Sequence, residues 1–176
     1  AAFQGRAEVV KLLLAYGIDA NDVSASDGFT PFHRTLWTNS ERHVETMRVF
    51  LEDGKVEVDF VSHVGKTGAL IATELKHTKV LDILLREYGA DPNFRNKRGD
   101  ALVHVAIRAQ DEKTLDMLLN NGADITLEDA KGKSCRKIAK QLRSKAVLER
   151  INRAFEELNT PNPNDNDRKE NRGEEL

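Results

Sequence analysis

Residues 84–106 read LLREYGADPNFRNKRGDALVHVA. A leucine pair runs into Gly-Ala-Asp-Pro-Asn, a charged turn follows, and a histidine stands inside an apolar run. The phrase returns along the chain. KLLLAYGIDAN (11–21), RVFLEDGKVEVDF (48–60) and DMLLNNGADITL (116–127) repeat its first half. DGFTPFHRTLW (27–37), GKTGALIATEL (65–75) and KGKSCRKIAKQL (131–142) repeat its second. Gly28, Gly65, Gly99 and Gly132 are separated by 37, 34 and 33 residues; Gly17, Gly54, Gly89 and Gly122 by 37, 35 and 33. Self-similarity at this period marks an array of stacked units.

Each unit reads as helix, turn, helix, extended loop. Leu102, Val103, Val105, Ala106 and Ala109 give one short apolar face, and Leu115, Leu118 and Leu119 recur at helical spacing for a second. Gly122 follows the last leucine pair, where a left-handed helix cap favours a residue without a side chain. Pro31 stands behind Thr30, at the first helical position, where its missing N–H is harmless. A unit of about 33 residues cannot bury its apolar stripe alone, but it can against copies of itself. The fold class expected is therefore all-α, a solenoid of helix-turn-helix units.

The strings DGFTPFH, LLREYGADPN and LLNNGAD resemble the ankyrin repeat, with its pattern G-x-T-P-L-H-x-A-A…V-x-x-L-L-x-x-G-A-D-x-N. The resemblance covers roughly residues 1–158 and implies antiparallel helix pairs with loops projecting as β-hairpin fingers. The units expected are a partial repeat at 1–22, full repeats at 25–60, 62–94 and 96–127, and a capping repeat at 129–158. The first full repeat has a long helix–helix turn, TNSERHV. The next keeps Thr67 but has Gly68, Ala69 and Leu70 for Pro-Leu-His, and the third keeps His104 but has Ala101 and Leu102 for Thr-Pro. The last helix places Val147, Leu148, Ile151, Ala154, Phe155 and Leu158 on one face and Lys145, Glu149, Arg150, Arg153 and Glu156 on the other, as a terminal unit with one wet face requires. Residues 159–176, with two prolines and one hydrophobic residue, read as a disordered tail. The opening AAFQGRAEVV, without Met or signal, reads as a piece of a longer protein.

Composition narrows the function. With 39% hydrophobic and 32% charged residues and a net charge of −2, the chain suits a folded domain and argues against a strongly basic nucleic-acid binder. A single cysteine, Cys135, precludes an intrachain disulfide and favours a reducing, intracellular setting, cytoplasm or nucleus. No apolar run approaches the ~20 residues of a membrane span, so no membrane insertion is expected. The five histidines, His33, His43, His63, His77 and His104, show no zinc-ligand spacing with cysteine. The resemblance gives His33 and His104 a structural role, with hydrogen bonds tying one unit to the next, and His43, His63 and His77 fall in turns. GKTGAL and GKS lack the leading Gly of a phosphate loop, having Phe60 and Leu127 at that place. Neither an enzyme, a metal site nor a cofactor is expected. Cys135, near a helix start, is read as a packing residue rather than a nucleophile.

The family's mode of recognition implies binding of another protein or peptide through finger tips and first helices. Carried onto this chain, it nominates Asp27, Phe29, Arg34 and Trp37 in the first full unit. His63, Val64, Lys66 and Glu74 follow in the second, Lys97, Arg98, Asp100 and Arg108 in the third, and Lys131 in the last. Trp37 has two readings, an exposed anchor of the kind common in binding hot spots or a residue packed under the 38–44 turn. Aromatic and apolar residues flanked by Lys and Arg suit a partner bearing apolar and acidic groups. A protein-interaction module, serving as scaffold, adaptor or inhibitor, is the function expected; the alternative is a regulatory or substrate-recruiting region of a larger enzyme or channel. Nucleic acid is disfavoured by the near-neutral charge and the lack of stacked aromatics on adjacent fingers. Removing residues 160–176 is expected to leave the melting temperature, followed by circular dichroism, unchanged within a few degrees.

Overall fold

The computed structural model describes residues 1–159. A 3-10 turn at Ala2–Gln4 is followed by nine helices among the described residues. They are α1 (Ala7–Ala15), α2 (Pro31–Thr35), α3 (Glu41–Glu52), α4 (Gly68–Glu74), α5 (Thr78–Arg86), α6 (Leu102–Arg108), α7 (Glu112–Asn120), α8 (Cys135–Leu142) and α9 (Lys145–Asn159). The tail expected at 159–176 lies, from residue 160 on, outside the described residues, and Asn159 belongs to α9.

Four hairpins, α2/α3, α4/α5, α6/α7 and α8/α9, share one local grammar. The first helix begins behind an extended N-cap residue, and the second starts eleven residues after it in every hairpin. Thr30, Thr67 and Ser134 cap with their hydroxyls, which accept from His33 N, Leu70 N and Lys137 N. Ala101 has no such oxygen. There the His104 ring serves a different donor, its Nδ1 accepting from the Ala101 amide at 3.0 Å.

The constant spacing corrects one expectation. The turn of the first full unit, residues 36–40, is longer than 75–77 and 109–111 because α2 is short, but Glu41–Val44, expected in it, belong to α3. They lengthen the second helix, to 12 residues against 9 in α5 and α7. His43, expected in a turn, is buried inside α3.

Hairpins stack in chain order. First helices pack on first helices (α4 on α6, α6 on α8), and second helices on second helices (α1 on α3, α5 on α7, α7 on α9). One apolar core runs through the array, from Ala2 through Phe32, Leu70, Leu84, Leu102 and Leu118 to Ile151 and Ala154. No single centre gathers it. Each layer is buried by its neighbours, and burying one leucine contributes about 1.5–3 kcal/mol. Gly68 shows how close the layers come. A Cβ there would stand 3.1 Å from Leu36 Cδ1 and 3.2 Å from Phe32 Cε1 of the preceding hairpin, so this unit has glycine where another has Pro31.

Helix α1 shows what stacking does. Its apolar positions Val9, Val10, Leu12, Leu13 and Leu14 match Val80, Leu81, Ile83, Leu84 and Leu85 of α5 one for one. Val80, Ile83 and Leu84 are 1%, 6% and 0% exposed, whereas Val9, Leu12 and Leu13 are 42%, 57% and 40% exposed. Among the described residues only the Ala2–Gln4 turn stands where a whole helix covers α5.

At the other end α9 buries Val147, Ile151 and Ala154. Two residues depart from the expected faces. Leu158 is exposed, and Arg150 is largely covered because it pairs with Asp116 of α7.

Polar ties lock the layers. His33 Nε2 lies 3.1 Å from the Phe60 carbonyl and His104 Nε2 3.0 Å from that of Leu127. A carbonyl only accepts, so Nε2 carries the proton in both rings and Nδ1 accepts, from the Thr30 hydroxyl (2.8 Å) and the Ala101 amide. His43 repeats the arrangement, with Nε2 on the Phe3 carbonyl and Nδ1 on the Ser40 hydroxyl. His77 donates from Nδ1 to the Leu36 carbonyl at 3.0 Å. Each ring thus joins two segments of chain 23 to 41 residues apart.

The connecting loops are tight fingers. Ser62, Asn96 and Asp129 amides donate to the carbonyls of Lys66, Asp100 and Lys133, and Gly65, Gly99 and Gly132 turn the tips with φ of 80°, 81° and 65°. The β-hairpin character expected of them is confined to single antiparallel bridges, Arg95 with Ala101 and Glu128 with Ser134.

Burial holds the His33 ring neutral, with its pKa pushed from 6.5 down to about 4; His104 is lowered for the same first reason. A folded-state pKa below the unfolded value means stability is fully present above pH 6.5 and lost as the pH falls through about 4. The free energy of unfolding from urea titration is expected to decline across that window. His33 contributes up to about 3 kcal/mol of the loss, and His33→Gln is expected to flatten the slope.

Candidate functional site

First helices and fingers form one continuous side of the array, and most nominated residues lie there. Many are already engaged with one another. Asp27 pairs with Arg34 (2.8 Å), Lys66 with Glu74 (2.5 Å), and Asp100 with Arg108 (3.0 Å). Lys66 and Asp100 each follow the finger glycine and meet the end of the first helix eight residues on, whereas Asp27 precedes its glycine and meets Arg34 seven residues on. Arg108 also reaches Asp129 of the next finger at 2.5 Å, joining the third and fourth units. Asp129 additionally accepts from the amides of Lys131 and Lys133, both at 2.8 Å. Burial works to raise its pKa, but those amides and Arg108 outweigh it and hold the carboxyl below its usual range. Asp100, nominated as a presented finger residue, is instead buried, since Arg108 draws it against the helix.

The aromatic residues converge at the first full unit. Trp37 makes edge contacts with Phe29 (5.5 Å between centroids) and with Phe3 (5.9 Å), and the Arg34 guanidinium stands 5.8 Å from its ring centre. The ring is half-buried and packs against the core, with Phe29 of the finger and Phe3 of the N-terminal turn at its edges. Phe3, which brings the third ring, was not apparent from the repeat pattern because it precedes the first complete unit.

Phe29 and Trp37 wall a cleft of about 410 Å³ with Ile71, Leu75, Lys66 and Glu74. A second, wider groove of about 770 Å³ lies between the third and fourth units, floored by Val105, Ile138 and Leu142 and rimmed by Arg98, Arg108, Lys131 and Lys133. His63, Val64, Lys97, Arg98 and Lys131 are exposed on the tips. Lys97 folds back onto the preceding finger, donating to the His63 carbonyl at 2.5 Å. Arg98 and Lys131 have no ion pair among the described residues. Most nominated residues therefore line two clefts or the row of tips between them, while Asp27 and Arg34 line neither cleft.

Among the described residues, no three His, Cys, Asp or Glu side chains are grouped to hold a metal, and no helix is long and apolar enough to cross a membrane. Cys135 is fully buried at the start of α8, and desolvation pushes its thiol up to about 12, so the helix N-terminus does not produce a thiolate.

Stacked helical hairpins, turn-forming fingers and histidine ties between layers define a helical repeat protein of the solenoid class. A family model for ankyrin repeats, three copies long, matches residues 40–129, and the chain belongs to the ankyrin-repeat family. It is 32% identical over 129 residues, 73% of its length, to SH3 and multiple ankyrin repeat domains protein 1 of Mus musculus, covering 6% of that protein. It is 40% identical over 79 residues, 45% of its length, to the inactive serine/threonine-protein kinase TEX14 of Bos taurus, covering 5%. Palmitoyltransferase AKR1 of Lachancea kluyveri is 28% identical over 148 residues, 84% of this chain and 20% of that protein. The chain thus spans about a twentieth of the first relatives it matches.

Cys135 in the native chain is expected to resist Ellman's reagent at pH 8 and to react fully in guanidinium chloride, as read by absorbance. Fast labelling of the folded protein would show an open site that this packing does not contain.

Proposed function

We propose that this chain is a protein-interaction module that grips its partner on the finger and first-helix side, with the Phe29–Trp37 cleft as the apolar anchor. Ankyrin repeats are in general protein-interaction modules, and the relatives include a protein named for multiple ankyrin repeats. The observation that carries the reading is the half-buried aromatic pair. The Trp37 ring meets Phe3, Arg34 and Phe29, and both rings of the pair line a cleft. A rigid aromatic surface loses little conformational entropy on binding, which is why such residues dominate interface energetics. The ion-paired feet of the fingers serve the same end by holding the tips in place before a partner arrives. The partner is a protein or peptide bearing apolar and acidic residues, and the setting is the reducing interior of a cell. No catalytic step is assigned to the chain.

A second reading has a specific observation behind it. The similarity to a palmitoyltransferase and to an inactive kinase, each matched over a small part of its length, suits a regulatory or substrate-recruiting region within a larger protein. The same cleft would then select what that protein acts upon.

Affinity capture from the native cell, comparing the wild-type chain with Phe29→Ala, Trp37→Ala and Arg98→Ala, tests the interaction reading. Trp37→Ala is expected to weaken the captured partner by more than ~1 kcal/mol in direct titration, with a melting temperature lowered by no more than a few degrees. Unchanged affinity, or a chain that no longer folds, would assign Trp37 to packing.

A further inference from the structure

The fingers differ in one respect. In the second and third full units the residue after the finger glycine is neutralised by an opposite charge eight residues on, on the first helix, Lys66 by Glu74 and Asp100 by Arg108, while in the first unit the aromatic pair Phe29 and Trp37 holds those two places. The fourth unit keeps the geometry and loses the charge. Lys133 Nζ donates to Gln141 Oε1 at 2.9 Å, eight residues on, at the place of Glu74 and Arg108. Among the described residues Lys133 has no carboxylate partner of its own.

The acids that line the groove are committed elsewhere, and Glu128, on the same finger but not in the groove lining, makes no ion pair with Lys133 among the described residues. Asp129 is taken by Arg108 and by the Lys131 and Lys133 amides, Asp100 by Arg108, and Glu74 by Lys66. The surroundings add positive charge. Residues 130–148 contain seven Lys and Arg and no Asp or Glu, in a chain whose net charge is −2. Lys133 sits on the rim of the 770 Å³ groove, beside Arg98 and Lys131 at the tips and over the apolar floor of Val105, Ile138 and Leu142.

Resting on the interaction reading, we infer that this groove takes an extended peptide segment of the partner carrying acidic and apolar residues, one carboxylate of which seats on Lys133. That carboxylate completes the ion pair that the second and third units make internally. Arg98 and Lys131 meet further acids along the segment, and the floor receives an apolar side chain between them. An acidic peptide is favoured over a polynucleotide because the groove offers an aliphatic floor and no aromatic platform for bases. Electrostatic recognition of this kind weakens as salt screens it.

Fluorescence anisotropy with the 176-residue chain tests the inference. The probes are a labelled twelve-residue peptide of Glu, Leu and Ser in equal parts, its Gln-for-Glu counterpart, and a labelled twelve-nucleotide oligouridine. The Glu peptide is expected to bind at least ~10-fold more tightly than the Gln peptide, with affinity falling as salt rises. Lys133→Gln is expected to cost the Glu peptide roughly five- to tenfold. Gln141→Glu is expected to cost about as much while leaving the melting temperature unchanged or raised, because the new carboxylate occupies Lys133 from within. Lys113→Gln, on α7, is the control and should change nothing. Equal binding of the two peptides would overturn the inference, as would a Gln141→Glu chain that binds the Glu peptide as well as wild type does. Oligouridine binding that is tighter than the peptide's and lost in the same variants would replace the peptide with a phosphate polymer. If Lys133→Gln keeps the Trp37-dependent partner at full affinity, this groove is not used, and the interaction reading stands without it.

Discussion

Burial in this protein is reciprocal. No hairpin has an interior of its own; each lends its apolar side to the next, and the core is the sum of those contacts. The matched positions of α1 and α5 show the consequence directly, because the same five-residue apolar pattern is covered in one and largely open in the other. Stability in such an array is the sum of unit and interface contributions. The histidines add direction to a force that has none. Hydrophobic contact alone would let layers slide, whereas Nε2 of His33 or His104 must find one carbonyl of the following loop. Their burial is also why these rings stay neutral and serve as fixed donors.

With the layers set, the finger side becomes a surface of fixed charges. A salt bridge at the foot of a finger contributes little net stability where it is exposed. Its larger effect here is positional, holding Arg34, Glu74 and Arg108 against the loops whose tips they support. Arg108 goes further by bridging two carboxylates of successive units. Against this regularity the neutral Gln141 beside Lys133 gains its meaning, since a departure from a repeated pairing singles out a charge that neighbouring units have cancelled.

Much of the architecture was legible from residues alone. The glycine series, the leucine pairs and the Thr-Pro start fix helix type and period because each has a local cause, whether a positive φ, an apolar stripe or a cap. Where local cause was lacking, reading failed. Glu41–Val44 looked like turn because their polar character resembles a loop, yet the constant eleven-residue spacing from cap to second helix placed them in α3. Asp100 looked presented because it follows a finger glycine, yet Arg108 buried it. Arg150 was assigned to the wet face of α9 by helical spacing, and Asp116 of the preceding unit drew it in.

The sequence by itself determined that the chain is a stack of helical hairpins, how many residues separate them, and which side chains form their shared apolar faces, because those properties depend on backbone periodicity and on neighbours close in the chain. Only the tertiary structure decided which charges remain available. Pairs such as Arg108 with Asp129, or Arg150 with Asp116, join residues 21 and 34 apart. A repeat pattern gives the position of a charged residue on a unit but not the direction its side chain takes. That direction is set by whichever opposite charge the next layer brings within reach.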